Sequence, residues 1–503
     1  MAHPKLFAAK QTVRKYGPSA LVLLLALALR LLWRAHFMGG PGLDGAEHVD
    51  LAVGFSDGQG YEAVNGRYEG FVAPLFPLLV WAVSAFPFDI VTTMIGAARA
   101  VSVVFGAMLV VPVYLIGERL YGKPTAVVAS CAVATHPLLV HLSAIARPDI
   151  TCITLVMTAV YFQLRALRSD RKGLATAAGI LYGFAILTWP ETVFTFAITT
   201  SAVAYADRKR WRLAATHVSA MLVGFAVIVA AGAALIVTSG GEVSPRMFAA
   251  VWNPLPLASM LPMFWGLSLP LVLTFAVLGL LRSSSDLVAV HILLAVAVVS
   301  TVVALEVEAG SMGIVAGILP IALIWASRGV VEVGRVLTVR LPHLAWMRLV
   351  GQMSVMAVAI GLIGLPSYGS LVERDGPTRL IWDSGWWLAS VDPTQKRVMD
   401  TSLNAAIHAG ALFVAFPKTD SRSALERIAN SHIDYLVVQR AHIDRRPYLR
   451  EWFERGVPDR RARLRDAEYR APGQLVAGPA GRLDDEAGVH EAVKATPPPG
   501  PLP

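Results

Sequence analysis

Apolar runs of about 17–25 residues, the length a helix needs to cross hydrocarbon, recur along the first three quarters of this chain. Short segments rich in Lys, Arg, Gly and Pro separate them. The runs predict spans at roughly 17–36, 94–117, 125–142, 150–165, 174–190, 192–206, 213–238, 260–281, 286–305, 312–328 and 346–366, about eleven helices. From about Leu365 the pattern changes, with charges of both signs near balance and short apolar runs between polar stretches. Ala411–Phe416 and Tyr435–Gln439 read as strands, and Ser421–Asn430 between them reads as an amphipathic helix. The expected architecture is an all-α polytopic membrane protein over residues 1–366, followed by a small α/β extracytoplasmic domain over 367–483. Residues 484–503, ending in PPPGPLP, are expected to be disordered.

Composition agrees with this reading. The chain has 503 residues, 55% hydrophobic and 16% charged, where soluble proteins carry roughly a quarter charged residues. The run from Ser19 to Trp33 has the look of a signal peptide. No small-residue cleavage site follows it and many spans do, so it is read as retained. The net charge of +9 points to membrane orientation rather than to nucleic acid. Alternate loops hold clusters such as Arg165, Arg168, Arg171 and Lys172, or Arg208, Lys209, Arg210 and Arg212, while the intervening loops hold only Arg67, Arg147 and Arg246. By the positive-inside rule the N-terminus is cytoplasmic and the C-terminal domain lies outside. The apolar stretch Pro74–Phe86 (PLFPLLVWAVSAF) would invert every later basic loop if it spanned. It is therefore expected to lie in the outer interface, within a long first outer loop over 37–93. Arg455 to Arg470 interleaves Arg with Asp and Glu and reads as a solvated face. Cys131 and Cys152 read as small apolar residues inside spans.

Most ionisable groups at outer membrane depth fall in three loops. The long loop carries Asp44, Glu47, His48, Asp50, Asp57, Glu62, Arg67 and Glu69, of which Asp57, Glu62 and Glu69 read as solvated. A second loop contains Arg147-Pro-Asp149, and a third contains Trp189-Pro-Glu191. Arg99 lies one turn inside the second span. Two readings stand for several of these: Arg99 snorkels to headgroups or meets a ligand, and Pro190-Glu191 ends one helix and favours the next or serves a site. Asp44 stands out because a Gly-rich loop presents it beside hydrocarbon, where a carboxylate is costly unless it has a function.

These residues carry a family resemblance. From Arg30 to about Phe194 the chain resembles the GT-C superfamily of polytopic glycosyltransferases that use polyprenyl-phosphate sugars, nearest the dolichyl-phosphate-mannose-protein mannosyltransferase and aminoarabinose transferase branch. Asp44 with His48-Val-Asp-Leu-Ala is similar to the family's first-loop acid and following helix. Gly58-Gln-Gly60-Tyr61, Tyr68 and Pro74-Leu-Phe-Pro77 resemble its loop punctuation. Ala98-Arg99-Ala100, Thr135-His-Pro137 with Arg147-Pro-Asp149, Leu187-Thr-Trp-Pro-Glu191 and Ile433-Asp-Tyr-Leu-Val-Val438 continue the series in order. Three positions depart from it: Gly45 follows Asp44 where an acid pair is usual, Trp189 precedes Pro-Glu where a base is usual, and Gly310-Ser-Met-Gly313 replaces an Arg-Tyr.

The resemblance implies an inverting glycosyltransferase at the outer face of the membrane. Hydrolases flank the scissile sugar bond with two carboxylates. A sugar phosphate already has its leaving group, so one carboxylate suffices to take the acceptor proton, and cations meet the released phosphate. Asp44 is the expected base. Arg99, Arg147 and Arg67 are the expected phosphate contacts, since guanidinium matches phosphate with a planar fork. Asp149, Glu47, His48, Glu191 and Tyr61 are expected to orient the acceptor or these arginines. No obligatory metal is expected, although Glu47, His48 and Asp149 are candidate ligands for a divalent cation. The expected partners are a polyprenyl-phosphate sugar and a protein, lipid or glycan acceptor, in a bacterial plasma membrane, with no nucleic acid. A lipid-linked sugar transporter or flippase would need mid-membrane polar residues and repeated halves; a non-catalytic membrane assembly protein is the other alternative.

Overall fold

The computed structural model describes residues 4–36, 42–63, 72–86, 94–169, 171–206, 211–241, 269–281 and 312–339, then 387–391, 397–401, 411–416, 421–430, 433–439, 447–455 and 474–477, with isolated positions between them. Arg67, Tyr68, Glu69, the predicted spans 286–305 (Val296 apart) and 346–366, Gly310–Ser311, most of the Arg-rich stretch and the tail from Asp484 lie outside the described residues. The chain divides into two compact units, Met1–Thr378 and Arg379–Pro503.

The first unit is helical. Its elements are α1 (Pro4–His36), α2 (Gly42–Ser56), α3 (Leu75–Ser84), α4 (Met94–Met108), α5 (Val110–Tyr121), α6 (Lys123–Thr135), α7 (Pro137–Ala144), α8 (Asp149–Ser169), α9 (Lys172–Ile186), α10 (Thr192–Ala206), α11 (Trp211–Thr238), α12 (Leu269–Leu281) and α13 (Met312–Val339). Among the described residues, three stretches are long and apolar enough to cross a membrane: Met94–Tyr121, Asp149–Leu167 and Trp211–Thr238. The bent pair α6–α7 makes a fourth if it is one span. Eleven spans were expected, and that number is not reproduced among the described residues. Helix α3 has ten residues, a rise of about 15 Å, half the thickness of the hydrocarbon.

Proline sets two departures from the expected spans. The run 125–142 was expected to be one helix but breaks at His136, with 52° between α6 and α7. Pro137 has no N–H for the Val133 carbonyl, and its ring disfavours helical backbone at the residue before it. His136 accordingly takes φ −63° and ψ 121°, an extended conformation. The run 174–190 stops at Ile186, and residues 187–191 form turns ahead of α10. Trp189 stands before Pro190 and is under the same restriction.

Helices without a hydrophobic force between them associate through close packing and hydrogen bonds. Gly179 on α9 faces the Met221 carbonyl on α11, and Gly224 faces the Thr176 carbonyl, so a side chain at either glycine would overlap backbone. Gln163 on α8 donates to the Thr199 carbonyl on α10 at 3.0 Å and accepts from the Tyr182 hydroxyl on α9 at 3.1 Å. Leu109, Ile116, Leu138, Leu139 and Leu142 lie in the buried apolar centre of this unit. Cys131 and Cys152 are free thiols.

The second unit holds a four-stranded sheet of β1 (Arg397–Asp400), β2 (Leu412–Ala415), β3 (Tyr435–Gln439) and β4 (Gln474–Ala477) in the order β2-β1-β3-β4. The first three strands are parallel, with Val398 opposite both Phe413 and Tyr435, and β4 runs antiparallel to β3. Helices α14 (Ser421–Asn430) and α15 (Pro447–Arg455) pack Ala424, Ile428, Leu449 and Trp452 against Met399, Val414, Leu436 and Val438. Trp452 is the largest fully buried side chain described; its indole donates to the Ser421 hydroxyl at 3.0 Å, and its ring meets Tyr448 and Phe416 edge-on. Trp452→Ala is expected to destabilise this unit by about 3–5 kcal/mol, read as a rise in protease cleavage after residue 378 in the full-length protein.

Candidate active site

Helix α2 begins at Gly42, which makes Asp44 its third residue. Acidic positions suit that end because the helix dipole is positive there. Residues three and four apart share a helix face, so positions 44, 47 and 48 fall on one side of α2. The His48 ring, which is buried, meets Phe76 of α3 edge-on at 5.9 Å.

Gly45 fixes where this helix starts in space. A Cβ there would overlap the Ala146 carbonyl oxygen and come within 3.1 Å of Arg147 Cγ. Only glycine allows α2 to sit so close to the loop between α7 and α8. The residue that departs from the acid pair is therefore the one that brings the start of α2 to Arg147.

That loop is held by its own charges and by α4. Arg147 Nε donates to Asp149 Oδ2 at 2.8 Å and Nη2 to Oδ1 at 3.4 Å, a two-pronged pair in which planar guanidinium excels. The side chains are 13% and 2% exposed, so the pair is protected from the screening that weakens surface ion pairs. Asp149 opens α8, where its charge also meets a positive helix end. The Ser102 hydroxyl on α4 donates to the Arg147 carbonyl at 3.2 Å, and the Thr154 hydroxyl on α8 donates to the Phe105 carbonyl at 2.9 Å. Arg99, buried, lies one turn before Ser102 on α4. Arg34 of α1 reaches the Gly96 carbonyl of the same helix at 3.4 Å, and its charge acts on Arg99.

The turn before α10 adds a second carboxylate. The Leu75 N–H at the start of α3 donates to the Leu187 carbonyl at 2.8 Å, tying α3 to residues 187–191. Glu191 accepts from its own N–H and from Trp189, yet its buried Oε2 has no hydrogen-bond partner among the described residues. Burial pushes its pKa above the ordinary carboxylate value. Asp149 and Glu191 both lie within electrostatic reach of the buried Cys152 thiol, one turn inside α8.

The structure thus gathers the start of α2, Arg99, Arg147, Asp149 and Glu191. Tyr61 is engaged differently. Its hydroxyl donates to the Val72 carbonyl at 2.7 Å, its N–H donates to the Ser239 carbonyl at 2.8 Å, and burial pushes its pKa up. With Leu51, Val72 and Ile236 it joins the first loop to the end of α11. Among the described residues no three His, Cys, Asp or Glu side chains come together to hold a metal. The sequence reading passed over Arg34, although a charge inside an apolar run was the signal that marked it.

The model of the dolichyl-phosphate-mannose-protein mannosyltransferase family matches residues 73–232, a stretch that includes Arg99, Arg147, Asp149 and Glu191 but not Asp44. ArnT from Cupriavidus metallidurans bound to undecaprenyl phosphate superposes with a TM-score of 0.64 at 13% identity, over 92% of this chain and 98% of that one. The fold is that of the GT-C superfamily. A second GT-C structure, the archaeal oligosaccharyltransferase AglB from Archaeoglobus fulgidus in complex with an inhibitory peptide and a dolichol-phosphate, gives a TM-score of 0.55 at 13% identity, over 86% of this chain and 70% of that one. No curated protein matches the sequence.

Two outcomes test this geometry. Gly45→Ala is expected to push α2 from the Ala146 carbonyl and cost about 1–3 kcal/mol in thermal unfolding; an unchanged unfolding temperature would mean that the two backbones are not in contact. A carboxyl whose pKa is raised by folding contributes stability that is complete below its unfolded pKa and is lost as pH rises through the folded value. Glu191→Gln removes that titration. The variant should therefore match wild type near about pH 4 and gain on it toward about pH 8, measured as unfolding temperature against pH.

Proposed function

We propose that this GT-C protein is an inverting glycosyltransferase that moves a sugar from a polyprenyl-phosphate donor to an acceptor hydroxyl at the outer face of a bacterial plasma membrane. The observation that carries the reading is the seating of Gly45 on Ala146 and Arg147, which brings the helix start bearing Asp44 to a buried arginine–aspartate pair. The basic loops favour a cytoplasmic N-terminus, with the cluster and the second unit on the opposite side.

In this reading the acceptor oxygen attacks C1 of the sugar from the side opposite the phosphate. Asp44 takes the hydroxyl proton as the C1–O bond to phosphate breaks, and a single displacement inverts C1. The phosphate leaves with the bonding electrons, and its growing charge is met by Arg147 and Arg99, with Arg67 a further candidate. Asp149 holds the Nε–Nη2 edge of Arg147 and so fixes the plane of its guanidinium. Arg34 and Arg99 place two like charges near one another in an apolar setting, an arrangement that an anion stabilises. Glu191 Oε2, buried and without a partner among the described residues, suits a hydroxyl of the acceptor or the sugar; Glu47 and His48, on the face of position 44, are further candidate orienting groups.

The test is transfer from a synthetic polyprenyl-phosphate sugar by the purified protein. Asp44→Asn is expected to lower kcat by about a hundredfold to ten-thousandfold while the donor still binds. Unchanged transfer by that variant would contradict the assignment of the base and favour a transport or scaffolding role.

A further inference from the structure

We infer that Arg30 is a positioning residue, a clasp on the broken helix α6–α7 that sets where the Arg147–Asp149 loop meets the start of α2; its activity readout rests on the function proposed above. Arg30 lies on α1 and is fully buried, a costly place for a guanidinium without partners. Its Nε donates to the Ser143 hydroxyl of α7 at 3.0 Å, Nη1 to the Ala134 carbonyl of α6 at 3.1 Å and to Ala26 at 3.1 Å, and Nη2 to the Val133 carbonyl at 3.4 Å. The sequence explains the last two partners on α6. Pro137 has no N–H to give Val133, and both carbonyls belong to the last turn of α6, which lacks intrahelical donors.

The clasp therefore does two things at once. It supplies donors that the break at Pro137 took from the end of α6, and through Ser143 it holds α7 at its angle. Gly106 of α4 closes over it, since a Cβ there would overlap the Ser143 side chain and come within 3.0 Å of Arg30 Nε. Ser143 is three residues from Ala146, the carbonyl on which Gly45 rests. Helix α7 has eight residues, about 12 Å of rise, so straightening its 52° bend would carry its far end roughly 10 Å. A lysine has one compact donor group in place of the fork and cannot bridge both helices.

The two roles separate experimentally through Pro137. Pro137→Ala returns an N–H to Val133, so in the Arg30→Ala background it replaces the missing donor without restoring the bend. The full-length proteins Arg30→Ala, Arg30→Ala/Pro137→Ala and the milder Ser143→Ala are compared in three measurements: thermal unfolding, amide exchange over residues 145–152, and transfer from a synthetic polyprenyl-phosphate sugar. The double variant is expected to regain most of the unfolding temperature lost in Arg30→Ala, while exchange stays fast and kcat stays about a hundredfold down. Its donor KM should remain within about threefold of wild type, the split expected for misplaced reacting groups. Ser143→Ala should show the same split, smaller, with unfolding little changed. Recovery of kcat together with stability in the double variant would overturn the inference, because Arg30 would then only satisfy backbone. Wild-type exchange over 145–152 in every variant would overturn it too. If exchange follows the expected pattern while wild type transfers no sugar, the clasp is supported and the functional reading fails.

Discussion

A carbonyl facing hydrocarbon finds no water, so the protein has to supply its donor. Every proline placed in an apolar run therefore creates an obligation, and the architecture around the candidate site follows from how two of these are met. At Pro137 the obligation falls on Arg30, reaching across from α1. Ahead of Pro190 the helix ends at Ile186, and the Leu187 carbonyl, left outside it, takes the N–H of Leu75 at the start of α3. Each solution couples distant parts of the chain. The first ties the opening helix to the loop bearing Arg147 and Asp149, and the second ties the first loop to the turn bearing Glu191.

The electrostatics build on that frame. Isolated charges at this depth cost several kcal/mol, and pairing or helix ends reduce the cost. Asp149 uses both, through Arg147 and through the start of α8. Arg99 and Arg34 have a like-charged neighbour in one another, and Glu191 keeps a buried oxygen without a partner among the described residues. Glu191 is thus a group left short of compensation by the fold, the usual condition where a ligand completes a site. Arg30 is the contrast, a buried cation whose donors are spent on backbone and a hydroxyl.

Much of this was legible in the sequence because each feature has a local cause. The long apolar runs located α4–α5, α8 and α11, the short ones located β2 and β3, and the amphipathic stretch located α14 at Ser421–Asn430. The residues now gathered in one cluster were named from loop position and family resemblance. What periodicity hid was the break within 125–142, because the apolar pattern continues through Thr135-His-Pro137 and only the missing N–H interrupts it. Gly45 was legible as a departure but not as a contact, since its meaning lies in a carbonyl about a hundred residues away. The contacts of Arg30 and Arg34 were hidden for a like reason: they reach other helices. No periodic signal records tertiary proximity.

The proposed site has Arg147 and Arg99 holding a lipid phosphate beside the start of α2. An experimental structure of the full-length protein with a bound polyprenyl phosphate tests it most directly. The phosphorus is expected within about 5 Å of the Arg147 and Arg99 guanidinium groups, at charge-assisted hydrogen-bonding range, with Gly45 still seated on Ala146. A phosphate bound away from both arginines, with the cluster unchanged, would contradict it.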